Sequence, residues 1–173
     1  MTYHVRPATA VDASAVARIH VRAWQQAYAG IIPENILAGL SIQERTVRWA
    51  AIAERGDEHG VMRVAEVEGD VIGFSLVETG ADGRCELGAL YVDPGHWGRG
   101  VGHLLHRAAV HDMTAGDREE AVLWVVERNT RARAFYDRHD WRPDGESLDE
   151  IWGDVVVRVI RLKRVWTSAN VTR

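Results

Sequence analysis

The feature that most constrains this chain lies at residues 91–102, which read Tyr-Val-Asp-Pro-Gly-His-Trp-Gly-Arg-Gly-Val-Gly. A strand read from Cys85 to Val92 stops at Asp93-Pro94, where proline supplies no ladder N–H. Gly98, Gly100 and Gly102 then alternate, and Val101, Leu104, Leu105, Ala108 and Ala109 follow at helical spacing. A strand, a bare turn and a helix are predicted. Main-chain N–H groups stripped of neighbouring side chains can converge on an anion there, and the helix start adds positive potential. A diphosphate fits such a turn. A plain flexible connector is the alternative, and it accounts poorly for three alternating glycines. The dinucleotide fingerprint needs glycine at its first, third and sixth places, but His103 and Leu105 fall on the sixth place in the two possible frames. The Gly-Lys-Ser/Thr ending of a P-loop is absent.

The remaining pattern alternates strands and helices. Tyr3 to Arg6 reads as a short strand ended by Pro7, with Thr9 or Asp12 capping the helix that follows. Val16, Ile19, Ala23 and Ala27 give that helix an apolar face, and Gly30 ends it. Pro33 opens a second helical region with Ile36, Leu37, Leu40, Val47, Trp49 and Ile52. Met62 to Val67 and Val71 to Val77 form a hairpin about Glu68-Gly69-Asp70. Val122 to Val126 is continuously apolar, as in a strand covered on both faces. Asn129 to Arg138 reads as a short helix and Val155 to Ile160 as a last strand. The order implies a mixed sheet with helices on its faces, in one α/β domain over residues 1–164, followed by a polar tail over 165–173.

A chain of 173 residues can bury a core without staples. The net charge of −4 argues against a nucleic-acid partner. The one cysteine, Cys85, permits no internal disulfide and fits a reducing compartment. No run approaches the ~20 apolar residues of a membrane span, and no secretion signal opens the chain, so a cytoplasmic location is expected.

Two motifs carry a resemblance. Leu90 to Leu105 resembles the motif of the GNAT superfamily of N-acetyltransferases that ends in Arg/Gln-x-x-Gly-x-Gly/Ala, with Gly100 and Gly102 as its final glycines and Trp97 departing from its Arg/Gln. Asn129-Thr-Arg-Ala132-Arg-Ala-Phe135-Tyr136 resembles the same superfamily's Asn-x-x-Ala-x-x-Phe-Tyr pattern. Asp140 stands where that helix usually closes with glycine, and Asp tolerates the left-handed backbone better than most residues. The resemblance implies a splayed mixed sheet of six or seven strands flanked by about four helices. It implies acetyl-CoA as cosubstrate, bound by Leu90, Tyr91, Val92, Trp97, Gly98, Arg99, Gly100, Val101, Gly102, Asn129, Ala132 and Phe135. The N–H of Val92 is expected to polarise the thioester carbonyl.

The chemistry requires two proton transfers. A departing thiolate needs a proton, and the resemblance places the phenol of Tyr136 near the sulfur. An ammonium must lose a proton before it attacks, and Glu86, on the strand entering the glycine turn, is the candidate base. Simple alternation puts Glu86 on one face with Gly88, Leu90 and Val92. His20 and Tyr28 are alternative acceptors of that proton. Trp24, Tyr28 and Trp152 are candidates for the amine pocket. Against these stand plainer readings: Phe135 and Tyr136 as packing, Glu86 as a surface carboxylate. Cys85 has no evident activating partner, so direct transfer is preferred to an acyl-cysteine. His103, His106 and His111 do not converge as a metal site would, and no metal is expected. Trp49 and Trp124 read as core, and Arg158, Arg161, Lys163 and Arg164 as a solvated strand edge. Two functions follow: an amine acetyltransferase, or a non-catalytic acyl-CoA-binding module. A homodimer is compatible with either.

Overall fold

The computed structural model describes residues 2–56, 60–80, 82–115 and 118–166. Its sheet grows from the hairpin about Glu68-Gly69. Both residues take positive φ (52° and 90°), the pair that a two-residue turn needs to match strand twist. The turn joins β2 (Gly60–Val67) to β3 (Asp70–Thr79), with β1 (His4–Pro7) antiparallel on the outer edge of β2. β4 (Cys85–Val92) returns antiparallel to β3. β5 (Glu120–Val126), β6 (Arg142–Trp152) and β7 (Val155–Val165) complete a seven-stranded sheet of order β1-β2-β3-β4-β5-β7-β6.

Among the described residues the β4–β5 junction is the one parallel step of the sheet, and its register is carried by Glu86↔Val122 alone. Past that rung the strands diverge. A bulge prepares the divergence: the β3–β4 register passes from Val77↔Leu87 to Leu76↔Ala89, leaving Gly88 unpaired. The bulge also overturns simple alternation. Glu86 lies opposite Glu78, on the same sheet face as the Leu76–Ala89 and Phe74–Tyr91 pairs, whereas Leu90 and Val92 pack on the other face. One inserted residue inverts the parity on either side of it.

Among the described residues, five α-helices flank the sheet. α1 (Ala13–Ala27) and α3 (Ile42–Arg55) cover one face, where Val16, Ala17, Trp49, Phe74, Leu76 and Ala89 form a core. The second helical region divides into α2 (Glu34–Ala38) and α3, because Gly39 closes one and Ser41 caps the other by accepting from the Glu44 N–H. α4 (Val101–Thr114) and α5 (Thr130–Asp137) lie on the opposite face. There Leu87, Met113, Leu123 and Trp141 are buried.

β6 had no sequence expectation. It is an edge strand, mostly exposed and interrupted by Pro143 and Gly145, so no apolar alternation marks it. β7 runs to Val165, and Trp166 is buried in one cluster with Met113 and Leu162. Residues 167–173 of that tail lie outside the described residues. Because β7 is an interior strand, Arg161 is not a solvated edge residue. Its side chain is 13% exposed and pairs with Asp144 at 2.8 Å and Asp82 at 3.4 Å. No helix among the described residues is long and apolar enough to cross a membrane.

Candidate active site

The wedge between β4 and β5 opens a cavity of about 460 Å³. Leu87, Gly88, Ala89, Leu90, Tyr91 and Val92 form its β4 wall, and Trp124 and Val125 its β5 wall. Trp124, read as core, is half-buried and faces this space. With one rung joining the strands, the β4 edge beyond Glu86 has no β5 ladder partner, which leaves main-chain groups available to a ligand.

The cavity mouth is the glycine turn. Gly98 and Gly100 have φ of 74° and 84° with open space where a Cβ would stand. Gly102 is helical, and a Cβ there would meet the Phe135 ring at 3.5 Å and Val92 Cγ2 at 3.8 Å, both ordinary contacts. The first two glycines therefore serve backbone shape, and the third leaves its surface bare toward the cavity. Trp97 is fixed by its indole N–H, which donates to the Val92 carbonyl at 2.8 Å. Among the described residues, the lining contains Arg131, Arg138, His96, His103 and His139 and no Asp or Glu. Helix N–H groups and two guanidinium groups without competing carboxylates suit an anionic ligand.

Asn129 caps α5: its Oδ1 accepts from the Ala132 N–H at 3.0 Å. The cap aims the helix so that Asn129, Ala132, Phe135 and Tyr136 all line the cavity. Asp140 takes φ 64°, closing the segment in the left-handed conformation expected of the glycine place. The turn delivers Trp141 to the core, where its indole N–H donates to His106 Nε2 at 2.9 Å. Burial holds the His106 imidazole down at about 3.

Three phenols converge here: Tyr28, Tyr91 and Tyr136 line the same space. Burial pushes all three well above the ordinary tyrosine range, so they remain proton donors at neutral pH. Tyr91 accepts from the Trp24 indole at 3.0 Å. Trp24 and Trp152 do not line the cavity. They stack at 4.8 Å beside Tyr28, tying the β6–β7 hairpin to α1. Arg99 is exposed and outside the lining, and Val101 is buried at 1% exposure beneath the turn.

Glu86 is also outside the lining. Its carboxylate lies over Gly80, and the Glu78 carboxylate lies over Gly88, a wall residue. Burial raises both carboxyls, and the charge of Glu78 raises Glu86 further. His20 is buried, held down at about 3 by desolvation, and accepts from the Trp49 indole, which makes it a core partner. Cys85 is buried and its thiol pushed up by desolvation, so it is a poor nucleophile. No group of three or more metal-ligating side chains occurs among the described residues. Sequence reasoning missed Gly88, whose role needed the bulge, and Arg131, His103 and His139, whose convergence needed the α4–α5 contact.

Comparison with known proteins meets this geometry. Residues 20–141 match the model of the Acetyltransferase (GNAT) family. A protein of Mycobacterium tuberculosis named as a probable N-acetyltransferase is 29% identical over 148 residues, covering 83% of this chain and 82% of the relative. An uncharacterized N-acetyltransferase of Bacillus subtilis is 28% identical over 167 residues, covering 93% and 89%. Among solved structures, the PaiA N-acetyltransferase of Thermoplasma acidophilum in complex with coenzyme A superposes with a TM-score of 0.79 at 20% identity, covering 96% of this chain and 100% of that one. Family match and fold agree: the chain belongs to the GNAT family and is an acetyl-CoA-dependent N-acyltransferase.

Proposed function

We propose that the enzyme transfers the acetyl group of acetyl-CoA directly to a primary amine, with Tyr136 as general acid and Glu86 as the proton acceptor on the amine side. The observation that carries this reading is the placement of the Tyr136 phenol in the same cavity as the unpaired edge of β4. The cosubstrate supplies an activated acetyl thioester. The bare turn at Gly98–Gly102 suits its diphosphate, and the wedge suits its arm. The open β4 edge, with Val92 at its end, offers N–H donors to a carbonyl oxygen that gains charge during attack. Tyr136, kept protonated by burial, donates to the sulfur as it departs. The amine arrives on the α1 side, where the Glu78–Glu86 pair lies, and gives its proton to Glu86 directly or through water. Direct transfer is favoured because Cys85 is enclosed in the core.

The test is thiol release from acetyl-CoA over a panel of primary amines. Tyr136→Phe and Glu86→Gln should each lower kcat by about a hundredfold or more while CoA affinity is kept. Unchanged turnover in both variants defeats the residue assignment. CoA binding without turnover on any amine would favour the binding-module reading instead.

A further inference from the structure

We propose that Arg131 is the cation that faces the CoA diphosphate, held ready on the ring of Trp97. The Arg131 guanidinium lies 3.5 Å from the centre of the Trp97 ring, and both side chains line the cavity with Gly98, Gly100 and Gly102. The position where the related motif carries Arg or Gln is Trp97, so the turn lacks a cation at that place. Arg99, the turn's own arginine, is exposed and outside the lining. Arg131 arrives instead from the first turn of α5.

The arrangement is preorganised in two steps. The indole N–H of Trp97 is bonded to the Val92 carbonyl, which fixes the ring plane against the end of β4. The ring face then attracts the guanidinium by its quadrupole, and such a contact uses none of its N–H donors, which can bond phosphate oxygens. Among the described residues no carboxylate pairs with Arg131, although the chain contains 25 acidic residues. Partial desolvation without a counter-charge lowers the ease of holding its proton, and a bound anion would supply that counter-charge. A diphosphate seated on the glycine-turn amides presents such oxygens at the place where the stacked guanidinium waits. The inference rests on the CoA-binding reading and adds the residue that sequence comparison of the turn does not reveal.

The experiment is calorimetric titration of the whole protein with CoA and with dephospho-CoA, at several salt concentrations. Wild type, Arg131→Ala, Trp97→Leu and the double variant are compared, with thermal melting as the fold control. Arg131→Ala should weaken both ligands equally, by about tenfold, and flatten the dependence of affinity on salt. Trp97→Leu should weaken binding less, and the double variant should be no worse than Arg131→Ala, since the ring acts through the arginine. If Arg131→Ala binds both ligands as wild type does, the proposal is overturned. A loss seen with CoA and absent with dephospho-CoA also overturns it, because the arginine would then serve the 3′-phosphate. Failure of wild type to bind either ligand would instead remove the CoA-binding reading beneath it.

Discussion

Glu78 and Glu86 stand directly opposite one another on antiparallel β3 and β4, and neither carboxylate is ion-paired among the described residues. Like charges at facing positions destabilise a sheet, so the pair is a cost that the fold carries. Arg48 of α3 tempers Glu78, and Arg161 of β7 tempers Glu86, while Asp82 adds to the repulsion. Burial and the neighbouring charge both raise Glu86 above the ordinary carboxylate range. The acidic limb of kcat/KM should follow this group. Glu78→Gln removes one negative neighbour, so Glu86 titrates lower and the limb moves to lower pH with most activity kept. Glu86→Gln should abolish the limb together with activity. A pH–rate profile for the three proteins decides this, and a limb indifferent to Glu78 removes the coupling.

The same pair predicts a stability effect. A carboxyl raised in the folded state favours folding at low pH, and that contribution is lost as pH rises through its folded value. At pH 7 the ionised pair therefore opposes folding. Glu78→Gln should raise Tm at pH 7, and the gain should vanish below the unfolded carboxyl range near pH 4. Thermal melts at the two pH values measure it.

Gly100 and Gly102 separate backbone shape from ligand access. Gly100→Ala forces a side chain into a φ of 84° and should cost about 1–2 kcal/mol in urea unfolding. Gly102→Ala meets no prohibitive protein contact and should melt as wild type does, yet weaken CoA by placing a methyl group on the bare helix surface. Equal CoA affinity in Gly102→Ala would show that this surface is not approached.

His20 and His106 make the fold acid-labile. Each is held at about 3 by burial and is near 6.5 when unfolded, so each contributes stability above about 6.5 that is lost as pH falls toward 3. The loss amounts to about 1.4 kcal/mol per pH unit for each ring at its steepest. His106→Gln can still accept from the Trp141 indole and cannot titrate. Its stability should fall less steeply from pH 6 to 4 than that of wild type in urea unfolding.

Asp140→Gly should stabilise the protein by about 0.5–1 kcal/mol, because φ 64° costs glycine nothing. The ion pair it gives up with Arg142, 3.8 Å long and exposed, is worth little. Chemical denaturation of the two proteins is the measurement.

The sequence made some of this plain and hid the rest for identifiable reasons. The β2–β3 hairpin, the apolar β5 and the glycine turn were legible because each is a local pattern with a local cause. Asp140 was legible as a left-handed residue because one helix ending demands it. β6 was not, since an exposed edge strand needs no apolar alternation. The facing of Glu86 was misread because a bulge counts residues in three dimensions while alternation counts them along the chain. Arg131 on Trp97 joins positions 34 apart, and no spacing rule connects them.

The solitary rung between Glu86 and Val122 reverses a familiar gradient. In most sheets the middle strands hold their amide protons longest and the margins exchange first. In this one, part of a central strand borders a cavity rather than a neighbouring strand. Deuterium should therefore enter the inner edge of β4 early, at the heart of the molecule, and be slowed there once the wedge is filled.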